Sequence, residues 1–168
     1  EEMEPDAAAD VLAGLTPETS QEVLSEMPRE EAQEVRELLE FDESTAGGMM
    51  NSDFVLVGEA ATRDEVVEWV RGRDVNLEQL DTVFVIDGQA RLSGVVAVAR
   101  LLLASGEQAL AELKSEPLVS VRADAEEKEV FELFDKYNLR SLSVVDEDGR
   151  PMGSITVDDV VTRLRKRN

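Results

Sequence analysis

The chain contains no histidine and no cysteine. Without cysteine there is no disulfide scaffold and no thiolate metal site. Without histidine there is no zincin motif, no Ser-His triad and no imidazole base poised near neutral pH. Aromatic residues make up only 4% of the chain, and its one tryptophan, Trp69, reads as core or interface, as do Met49 and Met50. Long apolar runs are also missing. The longest, Leu92 to Ala104, is cut by Arg100 and falls short of the ~20 residues that span a bilayer. The opening Glu1-Glu2-Met3-Glu4 has neither the basic start nor the apolar centre of a secretory signal. Positive charge is scarce: 17 Lys+Arg against 38 Asp+Glu leave a net charge of −21. Such a chain repels nucleic-acid phosphates and anionic lipid, and attracts cations. These absences predict a soluble, cytosolic chain with no nucleic-acid partner.

What is present suffices for a core. The chain has 168 residues and 42% of them are apolar. Its charge is uneven. Residues 1–49 carry 15 acids and two bases, net −13; residues 50–168 carry 23 acids and 15 bases, net −8. Two regions of different character follow. Four Lys against 13 Arg, amid so much acid, also suit a salt-adapted host. The end reverses sign, with Arg163, Arg165, Lys166 and Arg167 close together. That run suits the last turn of a helix, or a segment just before a membrane on its cytoplasmic side.

The first region repeats every twelve residues. Ala8, Val11, Leu12 and Leu15 have the spacing of one helical face. Ser20, Val23, Leu24 and Met27 repeat it, and Ala32, Val35 and Leu39 repeat it again. Pro5, Pro17 and Pro28 mark the starts, with Thr16 as N-cap before Pro17. Helices this short need to stack to be stable. The stretch from Phe41 to Gly48 reads as a break, because paired glycines after polar residues signal a loop.

The second region is an internal duplication offset by 59 residues, so that Asp87 maps to Asp146, Arg91 to Arg150, Gly94 to Gly153 and Val96 to Ile155. Val83–Asp87 and Leu92–Val98 are predicted strands, and Leu142–Asp146 and Met152–Val157 repeat them. A helix precedes each hairpin, with faces at Val66, Trp69, Val70 and at Val130, Leu133, Phe134, Tyr137. Each copy reads strand, helix, strand, strand, helix. Two such units should pack on each other about a pseudo-twofold. No nucleophile–base pair and no phosphate-cradling glycine loop appears, so no enzyme activity is expected.

The duplication, closed by Gly153-Ser154-Ile155-Thr156-Val157-Asp158-Asp159, resembles a pair of CBS domains. The order of a stack of short acidic helices, then Thr45-Ala46-Gly47-Gly48-Met49-Met50, then such a pair resembles the cytosolic region of the MgtE family of magnesium transporters. The resemblance implies an α+β fold divided into residues 1–48 (the end of a helical N domain), 49–117 (CBS domain 1) and 118–168 (CBS domain 2). It implies a homodimer through the CBS domains, at the cytoplasmic face of the membrane and attached to a pore domain of the same polypeptide. It also implies a Mg²⁺ sensor, in which the ion held between N and CBS domains favours the closed state.

Magnesium wants oxygen ligands and keeps several waters, so a weak sensor needs few carboxylates. Asp6 and Asp10 lie i, i+4 in Pro5-Asp6-Ala7-Ala8-Ala9-Asp10, which matches an aspartate pair of that family. Asp158 and Asp159 are the partners that the resemblance implies, with Asp135, Asn138 and Glu126 as further contacts between CBS domains. Asn138 stands where an acid is common in the family. Adenine nucleotide, ATP or AMP, is the alternative ligand that CBS pairs imply. Gly153, Ile155, Thr156 and Asp159 fit a ribose-reading stretch, and Arg100 could serve phosphate. In the first copy Ala97 and Arg100 replace the corresponding Thr and Asp.

Overall fold

The structure, a computed structural model, describes residues 3, 5–73, 75–78, 80–115 and 118–166; of Asp6 and Lys166 only the backbone is described. It opens with three short helices, α1 (Pro5–Ala13), α2 (Pro17–Glu26) and α3 (Arg29–Leu38). Their starts keep the twelve-residue step. Thr16 caps α2, its hydroxyl oxygen accepting from the Thr19 N–H, with Pro17 at the first helical position. Pro28 is itself the N-cap of α3, one residue earlier in register than Pro17. The apolar faces are rotated from the expected ones. Val11, Leu15 and Val23 are exposed, while Ala9, Leu12, Leu24, Ala32, Val35 and Leu38 are buried. The cause is that α1 packs on α3, which favours the Ala9/Leu12 side.

Gly47 and Gly48 do not form a loop. They lie in α4 (Ala46–Met49), capped by Thr45, whose Oγ1 accepts from the Gly48 N–H. Glycine is required there by space: a Cβ on Gly48 would run into the carbonyl oxygen of Asp42.

Two units of the same architecture follow. The first holds β1 (Val55–Gly58), α5 (Arg63–Arg71), β2 (Thr82–Ile86), β3 (Leu92–Ala97), α6 (Val98–Leu103) and a short α7 (Leu110–Leu113). The second holds β4 (Ser120–Arg122), α8 (Glu127–Tyr137), β5 (Ser141–Val145), β6 (Pro151–Thr156) and α9 (Val157–Lys166). In each sheet the middle strand pairs parallel with the first and antiparallel with the third. The register breaks at equivalent places, between Val85 and Ile86 and between Val144 and Val145. The hairpin turns are alike as well. Asp87 accepts from the Gln89 and Arg91 N–H groups, and Asp146 from those of Asp148 and Arg150.

The segments that lead into the units are exchanged. The Ala46 and Gly47 N–H groups donate to the Ala125 and Ala123 carbonyls, placing α4 on the second sheet. The Leu110 and Ala111 N–H groups donate to Ala61 and Glu59, placing α7 on the first. One core therefore joins the helix stack, Met49, Met50 and the second unit around Val130, Leu142, Val144 and Ile155. The other joins Leu110 and Leu113 to the first unit around Val66, Val83, Val85 and Val96. No described helix is long and apolar enough to cross a membrane.

Candidate functional site

The β6–α9 turn builds one carboxylate with care. Asp159, in the first turn of α9, accepts from the Thr156 N–H at 2.7 Å and from the Thr156 hydroxyl at 2.8 Å, both at Oδ2. Burial raises its carboxyl above the ordinary value. The Thr156 bonds pull in the other direction, and the neighbouring charge of Asp158 adds to the rise. Thr156 and Asp159 line a narrow cleft between the two units, with Asn51, Asp53, Phe54, Thr82, Phe84, Ser141 and Ser154. Its volume of about 30 Å³ is room for a water or two, so a larger ligand requires it to widen. The Ser141 hydroxyl donates to Asp81 Oδ1 at 2.8 Å across the two units.

Strand alternation distributes the remaining expected nucleotide contacts. Ile155 points into the core and is fully buried. Gly153 is needed for close packing, since a Cβ there would lie 2.8 Å from the Asn51 carbonyl oxygen. Arg100 is exposed and donates to the Leu113 carbonyl at 3.1 Å. Neither Gly153, Ile155 nor Arg100 lines the cleft.

The acids expected to hold metal are dispersed. Asp10, half-buried on α1, borders a second small cavity of about 40 Å³ with Leu38, Phe41, Glu43, Gly48 and Met50. Its Oδ1 lies 3.8 Å from Arg163 Nη2 on α9. The Asp6 side chain lies outside the described residues. Asp158 is exposed at the start of α9. Glu126 is the exposed N-cap residue of α8, in an isolated bridge with Thr45. Asp135 is exposed in the last turn of α8. Asn138 is the left-handed C-cap of that helix (φ 49°), a conformation asparagine tolerates better than most residues. Among the described residues no group of three acids is gathered closely enough to hold a metal ion. The oxygen-only donors suit a hydrated Mg²⁺ held by one or two carboxylates, and not a cage made wholly of protein ligands.

Four participants lie outside the expected site residues. Asn51 and Asp53 line the cleft from the segment after α4, where only a junction was visible. Ser141 is placed by β5 rather than by any motif. Arg163 was read with the basic end, although its i+4 relation to Asp159 on α9 was available as a signal.

Comparison with known proteins places these features. The MgtE intracellular N domain model matches residues 1–44, and the CBS domain model matches residues 110–166. Neither is an enzyme family. The chain is 37% identical over 131 residues to the magnesium transporter MgtE of Thermus thermophilus, covering 78% of this chain and 29% of that protein. To the magnesium transporter MgtE of Enterococcus faecalis it is 28% identical over 128 residues, covering 76% and 28%. It thus spans under a third of these relatives. Among solved structures, the cytosolic domain of the Mg²⁺ channel MgtE in complex with ATP superposes with a TM-score of 0.89 at 32% identity, over 96% of this chain and 66% of that one. The soluble part of a magnesium transporter gives 0.90 at 27% identity, over 99% and 65%. The chain belongs to the MgtE family and corresponds to part of its cytosolic region, the end of the N domain followed by a CBS pair.

Proposed function

We propose that this chain is the Mg²⁺-sensing regulatory module of a magnesium transporter, working at the cytoplasmic face of the membrane and attached to a pore domain of the same polypeptide. Residues 1–48 act as the acidic sensor arm, and 49–117 and 118–168 as the two CBS domains. Mg²⁺ between acids of α1 (Asp6, Asp10) and of α9 (Asp158, Asp159) favours the docked, closed arrangement, with Glu126, Asp135 and Asn138 as secondary contacts. The observation that carries this is the meeting of α1 with α9, where Asp10 reaches a side chain one turn beyond Asp159. Two acidic surfaces repel when bare, and a divalent ion between them reverses the sign. The test is small-angle scattering and limited proteolysis at residues 41–50, with and without millimolar Mg²⁺ at constant ionic strength. Mg²⁺ should shrink the radius and slow cleavage, and Asp6→Ala with Asp159→Ala should blunt both. An unchanged radius and cleavage rate refute the reading.

A second reading, an adenine-nucleotide sensor, is favoured by the Asp159 carboxylate waiting in the cleft, where a ribose would meet it. A related cytosolic domain was solved with ATP. Calorimetry separates the two: ATP or AMP binding lost in Asp159→Ala and kept in Asp6→Ala supports the nucleotide, and absence of heat with both ligands excludes it.

A further inference from the structure

The basic residues near the chain end do not share one role. Arg165 is exposed, whereas the Arg163 side chain keeps only 14% of its exposure and turns back toward the helix stack. Its Nη2 donates to the Glu43 carbonyl at 2.6 Å and to the Gly48 carbonyl at 3.4 Å. The same nitrogen lies 3.8 Å from Asp10 Oδ1, whose side chain is 28% exposed. One guanidinium thus touches α1, the segment before α4, and α4 itself, from a helix more than 100 residues further along the chain. Two main-chain carbonyls and a carboxylate form an oxygen-lined cradle of the kind that takes a cation. Here the chain supplies that cation itself.

Charge makes this consequential. The helix stack belongs to a segment of net −13, and it docks on a body that is also acidic. A guanidinium so largely covered needs acceptors for its charge, so its placement requires the cradle to be formed. All three oxygens converge on one terminal nitrogen of a guanidinium whose charge is permanent. We propose that Arg163 is a built-in cationic latch, which holds the N-terminal helix stack against the last helix with no metal bound. It sets how much of the docked state exists before any divalent ion arrives. The inference does not depend on the Mg²⁺ reading, since it concerns the ion-free state.

The test uses the whole chain in EDTA at fixed ionic strength. Cleavage at residues 41–50 is timed for wild type, Arg163→Met, Arg163→Lys, Asp10→Asn, and the Arg163→Met/Asp10→Asn double variant. Arg163→Met should accelerate cleavage by about tenfold or more, as expected for losing charge-assisted hydrogen bonds. Arg163→Lys should recover part of this. Asp10→Asn should give a smaller acceleration, and the double variant should be no faster than Arg163→Met alone. Equal rates in wild type and Arg163→Met, with matching circular dichroism, overturn the latch, as do strictly multiplicative effects of the two single changes. If Arg163→Met fails to fold, Asp10→Asn decides: unchanged cleavage overturns the latch and acceleration supports it. Titrating Mg²⁺ into wild type keeps the two ideas apart. A flat titration with an Arg163-dependent baseline refutes only the sensor, and a responsive titration with equal baselines refutes only the latch.

Discussion

At the scale of the residue, the duplication exposes its own imperfections. Ala90 and Gly149 occupy equivalent places in the two hairpin turns, with φ of 62° and 80°. Glycine adopts that conformation without penalty, and alanine does not. Ala90→Gly should therefore stabilise the chain by about 0.5–1 kcal/mol, read as a raised urea midpoint at unchanged slope. Asp159 shows the opposite kind of exception, a cost retained for a purpose. Its folded carboxyl titrates above the unfolded one. Between those two values the folded state holds more protons, so stability falls as pH rises through that window and stays lower above it. Asp159→Asn mimics the neutral form. Denaturation across pH should show a flatter profile and a neutral-pH stability equal to or above wild type, while any adenine-ligand heat disappears. A loss of stability at neutral pH would show that the ionised carboxylate is needed for folding instead.

At the scale of the element, much of the architecture was legible because local chemistry repeats. Prolines at eleven- to twelve-residue steps announced the helix stack, and Asp87 and Asp146 announced the hairpins by the turns they cap. The helix faces were less legible. Val11 and Leu15 obey helical spacing yet stay exposed, because α1 meets α3 with Ala9 and Leu12 buried. The exchange of α4 and α7 between units could not be read at all. It rests on bonds between residues about 50 to 80 positions apart, such as Ala46 to Ala125 and Leu110 to Ala61, which leave no periodic trace. The cleft follows from that exchange and was hidden with it, whereas Thr156 and Asp159 were visible as a motif and Arg163 only as the residue one turn beyond Asp159. Gly48 tests the junction directly. A methyl group there meets the backbone of Asp42 and Glu43, which cannot swing away as a flexible side chain would. Gly48→Ala should cost about 1–3 kcal/mol of stability and accelerate proteolysis at 41–50, because α4 must shift away from Arg163.

At the scale of the whole molecule, the two units share a topology without being copies. Phe84 and Ser143 are equivalent positions, both buried, so a bulky side chain in one unit stands where the other has a small one. On the outside, α6 and α9 both present apolar side chains, with Leu102 and Val161 at equivalent positions. Leu102 is 81% and Leu103 91% exposed on one, and Val157, Val161 and Leu164 are exposed on the other. An open groove of about 660 Å³ beside α6 is lined by Val66, Val70, Leu77, Leu101 and Leu102. In a chain of net −21, such surface is tolerated only where something covers it, and the proposed homodimer through the CBS units would do so. In that homodimer like-charged protomers would repel, so the apolar contact would carry the association, and added salt should tighten it. Leu102→Glu with Leu103→Glu should shift sedimentation equilibrium from dimer to monomer while circular dichroism and the first-unit core remain intact, since neither side chain belongs to that core. An unchanged dimer would move the interface elsewhere, and a wild-type monomer at every salt concentration would leave the α6 and α9 faces to another partner.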